Sequence, residues 1–248
     1  PIPPFHAQHA FSPFDPNQNV FIDRPIIPPP ALIRRTSPTV AVPVENQRKL
    51  LQELAQTFKE QGQDPQNPLR GFSHAYGNTI ASHLDQLDKG CFNEPEIINH
   101  FAIDFAQRYQ KNHDALKRAE ATGQPSTAEP HWQKAWEQGK EIDALPLPEG
   151  ARKSAQILYG KHAHIDYDLK RSLTEALDYK IEHFANLDNS PATLGTDFAT
   201  AGEHFNTTAI QTASEMGLPK VLVTLGNFIS DVPGHRLRRF KEWVSELF

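Results

Sequence analysis

The chain has 248 residues with 25 Lys and Arg against 30 Asp and Glu, a formal net charge of -5. That balance excludes a general nucleic-acid binder, because phosphate binding needs a basic surface. A single cysteine, Cys91, excludes an intrachain disulfide and a multi-cysteine zinc site. No apolar run approaches the roughly 20 residues of a membrane span. The length allows one large domain or two small ones, and at that length a sizeable core is possible. Low cysteine usage suits the cytosol. The first residue is Pro1 rather than methionine, which fits a processed or truncated chain, so a soluble secreted protein stays open beside a cytoplasmic one.

Residues 1–43 form a compositional zone of their own, with 11 of the 21 prolines and no glycine. Such a segment cannot be helical and favours extended, polyproline-like backbone. Phe5, Phe11, Phe14, Phe21, Ile22 and Ile27 make it more apolar than a typical disordered tail. The expectation is an extended arm that lies on the helical body or on a partner, with a flexible leader as the alternative.

From Val44 onward the apolar residues follow helical spacing. Leu50, Leu51, Leu54, Ala55 and Phe58 predict a first helix to about Gln61, followed by a loop from Gly62 to Gly71. A second helix is expected over Ser73–Leu87, with Ile80, Leu84 and Leu87 inward. Asn93, Pro95 and Glu96 read as a capping box that opens a third helix. Its stripe is Ile97, Ile98, Phe101, Phe105 and Tyr109. Ala119 to Thr127 is read as a polar loop, and Glu129–Gly139 as a short helix with Trp132 and Trp136 on one face. After Leu145-Pro-Leu-Pro148, a central helical region begins near Gly150, with Gly160 as a candidate bend. It continues to about Leu187, with Leu173, Leu177, Ile181 and Phe184 inward. A helix from about Asp197 ends at Met216-Gly217-Leu218-Pro219. The β-branched run over 220–229 fits a short strand, but with no partner strand it reads as a buried helix, and an amphipathic helix over 233–248 completes the chain. These elements predict an all-α protein of about eight helices, a bundle-like domain over 44–248 behind the arm.

The richest chemistry lies in Leu158–Leu169. Two histidines and two aspartates fall in the seven positions His162–Asp168. On a helix, residues four apart share a face, so His162 sits over Asp166 and His164 over Asp168. The two pairs are offset by about 200° and flank an apolar arc of Leu158, Ile165, Leu169, Leu173 and Ala176. At such a boundary a carboxylate can fix a histidine tautomer, or both groups can ligate a metal. His100 and Asp104 repeat the spacing on the third helix. The plain alternative is a solvated His–Asp pair contributing a few tenths of a kcal/mol. There is no Gly-rich phosphate loop, no Gly-x-Ser-x-Gly elbow and no His-Glu-x-x-His. Cys91 beside a helix start has no identified base, which makes it weak as a nucleophile.

Three segments together resemble one known family. They are Phe92-Asn-Glu-Pro with His100-Phe-Ala-Ile-Asp-Phe-Ala-Gln-Arg-Tyr109, the Trp132/Trp136 helix, and Ala163-His-Ile-Asp-Tyr-Asp-Leu169. They resemble a helical, mainly bacterial family termed domain of unknown function 5995, over roughly residues 75–190. The family's last block reads Ala-His-Ile, two variable residues, Asp-Leu, which falls on Ala163, His164, Ile165, Asp168 and Leu169. The resemblance implies that His164 and Asp168, rather than His162 and Asp166, form the functional pair. It implies no reaction and does not reach the arm.

The leading expectation is a metal-dependent hydrolase with imidazole and carboxylate ligands on facing helices, a set that suits zinc or iron. His100, Asp104, His164 and Asp168 are the expected ligands, with His164 and Asp168 at the chemistry. A small-molecule substrate would enter near Tyr159 and Tyr167, beside His162 and Asp166. Two alternatives stand with it. One is a non-catalytic interaction module that binds a protein partner through the Pro- and Phe-rich arm. The other is metal-free acid–base catalysis by a carboxylate-oriented histidine.

Overall fold

The computed structural model describes residues 43–184 and 191–215. The arm, the 220–229 segment and the 233–248 helix lie outside the described residues. The rest is helical: α1 (Val44–Gln63), α2 (Arg70–Asp88), α3 (Pro95–Thr122), α4 (Pro130–Asp143), α5 (Glu149–Ala163), a π-helical turn (His164–Asp168), α6 (Leu169–His183) and α7 (Pro191–Glu215). No strand occurs among the described residues. None of the described helices is long and apolar enough to cross a membrane. The segments α5, π turn and α6 run on without a break, so the described body consists of six rods.

Each rod is amphipathic, and the stripes meet in one core. Leu51, Leu54, Ala55 and Phe58 of α1 pack with Phe72, Tyr76 and Ile80 of α2 and with Ile97, Ile98, Phe101, Phe105 and Tyr109 of α3. Trp132 and Trp136, four apart on α4, are 0% and 1% exposed. Large side chains buried this completely contribute about 1.5–3 kcal/mol each. Helix α2 lies at the centre and packs against α1, α5 and α7, while α3 packs against α6 and α4 against α5.

Two glycines that look like breakers in the sequence are crossing points. Gly71, read as the end of a loop, and Gly160, read as a bend, both lie within helices. A Cβ on Gly71 would sit 2.1 Å from the Lys153 carbonyl oxygen, and one on Gly160 would sit 2.2 Å from Phe72 Cγ. Only residues without a Cβ allow α2 and α5 this approach. The loop between α1 and α2 shortens accordingly to residues 64–69. Asn67 organises it, donating to the Gln61 carbonyl and to Ser73 Oγ and accepting from the Leu69 N–H.

The start of α3 also differs from the expected capping box. The N-cap is Glu94, with no capping by its own side chain. Asp197 of α7 supplies the acceptors instead, taking the N–H groups of Asn93 and Glu94 and the Asn93 amide. Asp197 is 0% exposed, so a buried carboxylate from a distant helix replaces the local cap. Lys180 of α6 pairs with Glu94 at the same corner.

Candidate functional site

The π turn carries the site. Its defining bond runs from the Leu169 N–H to the His164 carbonyl, five residues back. Such bulges are rare and are frequent at functional sites. The extra residue resets the helical phase, so the α-helical wheel drawn through Leu158–Ala176 does not hold. Leu173 and Ala176 are buried, but Leu158 and, further on, Ile181 are 54% exposed. The two His–Asp pairs therefore do not flank the core symmetrically. His164 and Asp168 are both 0% exposed. His162 projects into solvent, where it pairs with Asp166.

His164 lies face to face with Phe105, with ring centroids 3.5 Å apart and planes 6° from parallel. Tyr76 at 4.9 Å and Trp132 at 5.6 Å complete the enclosure. Its Nδ1–H donates to Asp168 Oδ2 at 2.9 Å, and the indole N–H of Trp132 reaches the same oxygen at 2.9 Å. The other oxygen, Oδ1, faces His131 Nε2 at 3.2 Å. Burial depresses the imidazole pKa of His164 more than Asp168 raises it, so the ring is neutral. Burial also works against an ionised Asp168, but the donors around it prevail and its carboxyl stays below the usual range. An ionised carboxylate only accepts, which fixes the proton of His164 on Nδ1. Nε2 is left buried and without a hydrogen-bond partner.

At the outer end of Asp168, Glu129, His131 and Asp168 each place a ligand atom within 4.8 Å of the others. Pro130 at the first position of α4 fixes where that helix begins. Glu129 is thereby set at its N-cap and His131 in its first turn. Tyr167 stacks on His131 with centroids 4.5 Å apart. Arg171 donates to Glu129 Oε2.

The other expected ligands lie elsewhere. Asp104 is held by Arg108 at 2.7 Å, and Arg108 also donates to Ser172. His100 stacks on Tyr179 with centroids 4.0 Å apart, and burial depresses its pKa. Neither joins His164 and Asp168 in a ligand group. Among the described residues the only set of three or more candidate ligands is Glu129, His131 and Asp168. Tyr159 is half-buried on α5, and Tyr167 stands 49% exposed beside His131. Cys91 is exposed. Glu129 and His131 have no counterpart in the sequence reading, because no short spacing links them to Asp168, 37 residues beyond His131. The one usable signal is Glu-Pro-His-Trp itself, a helix start that sets a carboxylate one turn before a buried tryptophan and an imidazole next to it.

The fold and site thus define an all-α protein with a π turn and a buried His–Asp pair at its centre. A family model described as a family of unknown function, DUF5995, matches residues 48–240. The match spans most of the chain, which therefore belongs to that family. No curated protein and no solved structure matches the chain.

Proposed function

We propose that the protein is a metal-dependent hydrolase of a small-molecule substrate, with a divalent cation held by Glu129, His131 and Asp168. The observation that carries this reading is the convergence of these three donors from the start of α4 and the π turn. One imidazole and two carboxylates suit zinc or iron, and three protein ligands leave a coordination position open. Donors on a tetrahedral ion with bonds of about 2.1 Å lie about 3.4 Å apart. His131 Nε2 and Asp168 Oδ1, at 3.2 Å, lie near that separation; Glu129 Oε2 faces the other ring nitrogen, Nδ1, at 4.0 Å and would have to shift to join them. Arg171 is the competitor, since its guanidinium holds the same Glu129 carboxylate. A cation held there would compete with Arg171 for the Glu129 carboxylate.

A divalent ion in such a set activates water as a nucleophile near neutral pH. The chain's own residues do the rest. His164 and Trp132 hold Oδ2 of Asp168 and leave Oδ1 facing His131. Tyr167 holds the His131 ring by stacking, and His162, paired with Asp166, lies beside Tyr167. The test is an assay of protein supplemented with zinc, manganese or iron(II) on small esters, amides and phosphoesters. Turnover should vanish on chelation. It should fall by about 100-fold or more in His131→Ala and hold within about threefold in His162→Ala. No turnover with any ion overturns the proposal. Turnover that survives chelation favours a second reading, acid–base catalysis by His164. Its support is the unpartnered Nε2 behind a carboxylate-held Nδ1.

A further inference from the structure

Glu129 stands at the N-cap of α4 and makes no capping bond with its own side chain. Its carbonyl enters the helix, accepting from the Trp132 and Gln133 N–H groups. Its N–H goes to another helix, donating to Asn112 Oδ1 of α3 at 2.7 Å. We propose that Asn112 is a positioning residue of the cation site, clamping the backbone of Glu129 so that its carboxylate stays beside His131 and Asp168. This role rests on the metal-dependent reading of those three residues.

Asn112 is 3% exposed, and its other end, Nδ2, donates to the Arg108 carbonyl at 2.8 Å. Both partners are backbone groups of fixed polarity, so only this orientation of the amide satisfies them together. A buried amide held at both ends cannot drift, and it ties the first residue of α4 to the middle of α3. That matters because helix ends fray. Glu129 Oε2 lies 4.0 Å from His131 Nδ1 and has to shift to share a cation. With its backbone clamped, side-chain torsions alone can make that shift. The same device holds the start of α3, where buried Asp197 takes the Asn93 and Glu94 N–H groups. Among the described residues no candidate ligand group lies at that corner, so Asp197 is a control for a cap that only stabilises.

Zinc is titrated calorimetrically into full-length wild type, Asn112→Leu, Asn112→Asp and Asp197→Ala. Asn112→Leu removes the acceptor at similar volume and should weaken zinc by about tenfold or more, the usual cost of losing a group that orients a ligand. Asn112→Asp keeps an acceptor for the Glu129 N–H and should bind within about threefold of wild type. Asp197→Ala shares no partner with the site and should bind within about twofold. Zinc should also shift the Asn112 side-chain amide resonances of the wild type saturably, a readout that no folding defect can mask. Four results overturn the role of Asn112 alone: zinc affinity unchanged in Asn112→Leu, Asn112→Asp as weak as Asn112→Leu, Asp197→Ala weakened equally, or unmoved Asn112 amides. Zinc that fails to bind the wild type overturns the cation site itself, and this role with it.

Discussion

Asp168 receives donors from His164, Trp132 and His131 while it is itself 0% exposed. A buried charge with this many donors is stable only as a set, because removing one member strands the others away from water. Asp168→Ala leaves the Trp132 and His164 N–H groups unpaired and should cost about 3–5 kcal/mol in urea denaturation. A loss below about 1 kcal/mol would mean that water replaces the carboxylate. His162→Ala, at the exposed pair, should change stability by no more than about 0.5 kcal/mol. Asp197→Ala takes the acceptors from the Asn93 and Glu94 N–H groups and should cost about 1–3 kcal/mol. A neutral result there would show that α3 caps itself. The choice of His164 and Asp168 as the central pair was legible from the family-like Ala-His-Ile-x-x-Asp-Leu block. The burial that makes the pair unusual was not.

Among the elements, the six described rods follow the apolar periodicities closely, and their ends are where the sequence misleads. A helical wheel assumes about 100° per residue. One π turn breaks that assumption, which is why Leu158, before the turn, falls out of phase with the buried Leu173 after it and the two aspartates part ways. Nothing local in His-Ile-Asp-Tyr-Asp marks a π turn. The glycines were misread for a related reason, because close helix approach and chain reversal select the same residue. Gly160→Ala separates these roles. Helix propensity favours alanine by about 1 kcal/mol, but the new methyl would lie 2.2 Å from Phe72 Cγ, the buried root of that ring. Net destabilisation by about 1–3 kcal/mol is expected in thermal or chemical denaturation. Stabilisation would show that α2 and α5 do not approach this closely.

For the whole molecule, the consequence of burying so many imidazoles is acid sensitivity. His74, His83, His100, His113 and His164 all have pKa values lowered from 6.5, each with burial as the main cause. Because the folded values lie below the unfolded one, the unfolded chain takes up protons first as pH falls. Stability should therefore be fully present above about pH 6.5 and decline below it, long before the carboxylates titrate. Urea midpoints at about pH 7.5 and about pH 5 check this. An unchanged or higher midpoint at the lower pH would contradict it.

The central claim is that Glu129, His131 and Asp168 make a cation site, and direct calorimetric titration of zinc into the chelator-treated protein tests it. About one ion per chain should bind, and His131→Ala should abolish most of that binding. Arg171→Ala distinguishes a built site from chance proximity. Freeing Glu129 from a partly exposed ion pair worth roughly 0.4–1 kcal/mol should tighten binding about two- to fivefold. Zinc that fails to bind the wild type, or that binds His131→Ala equally well, would contradict the account.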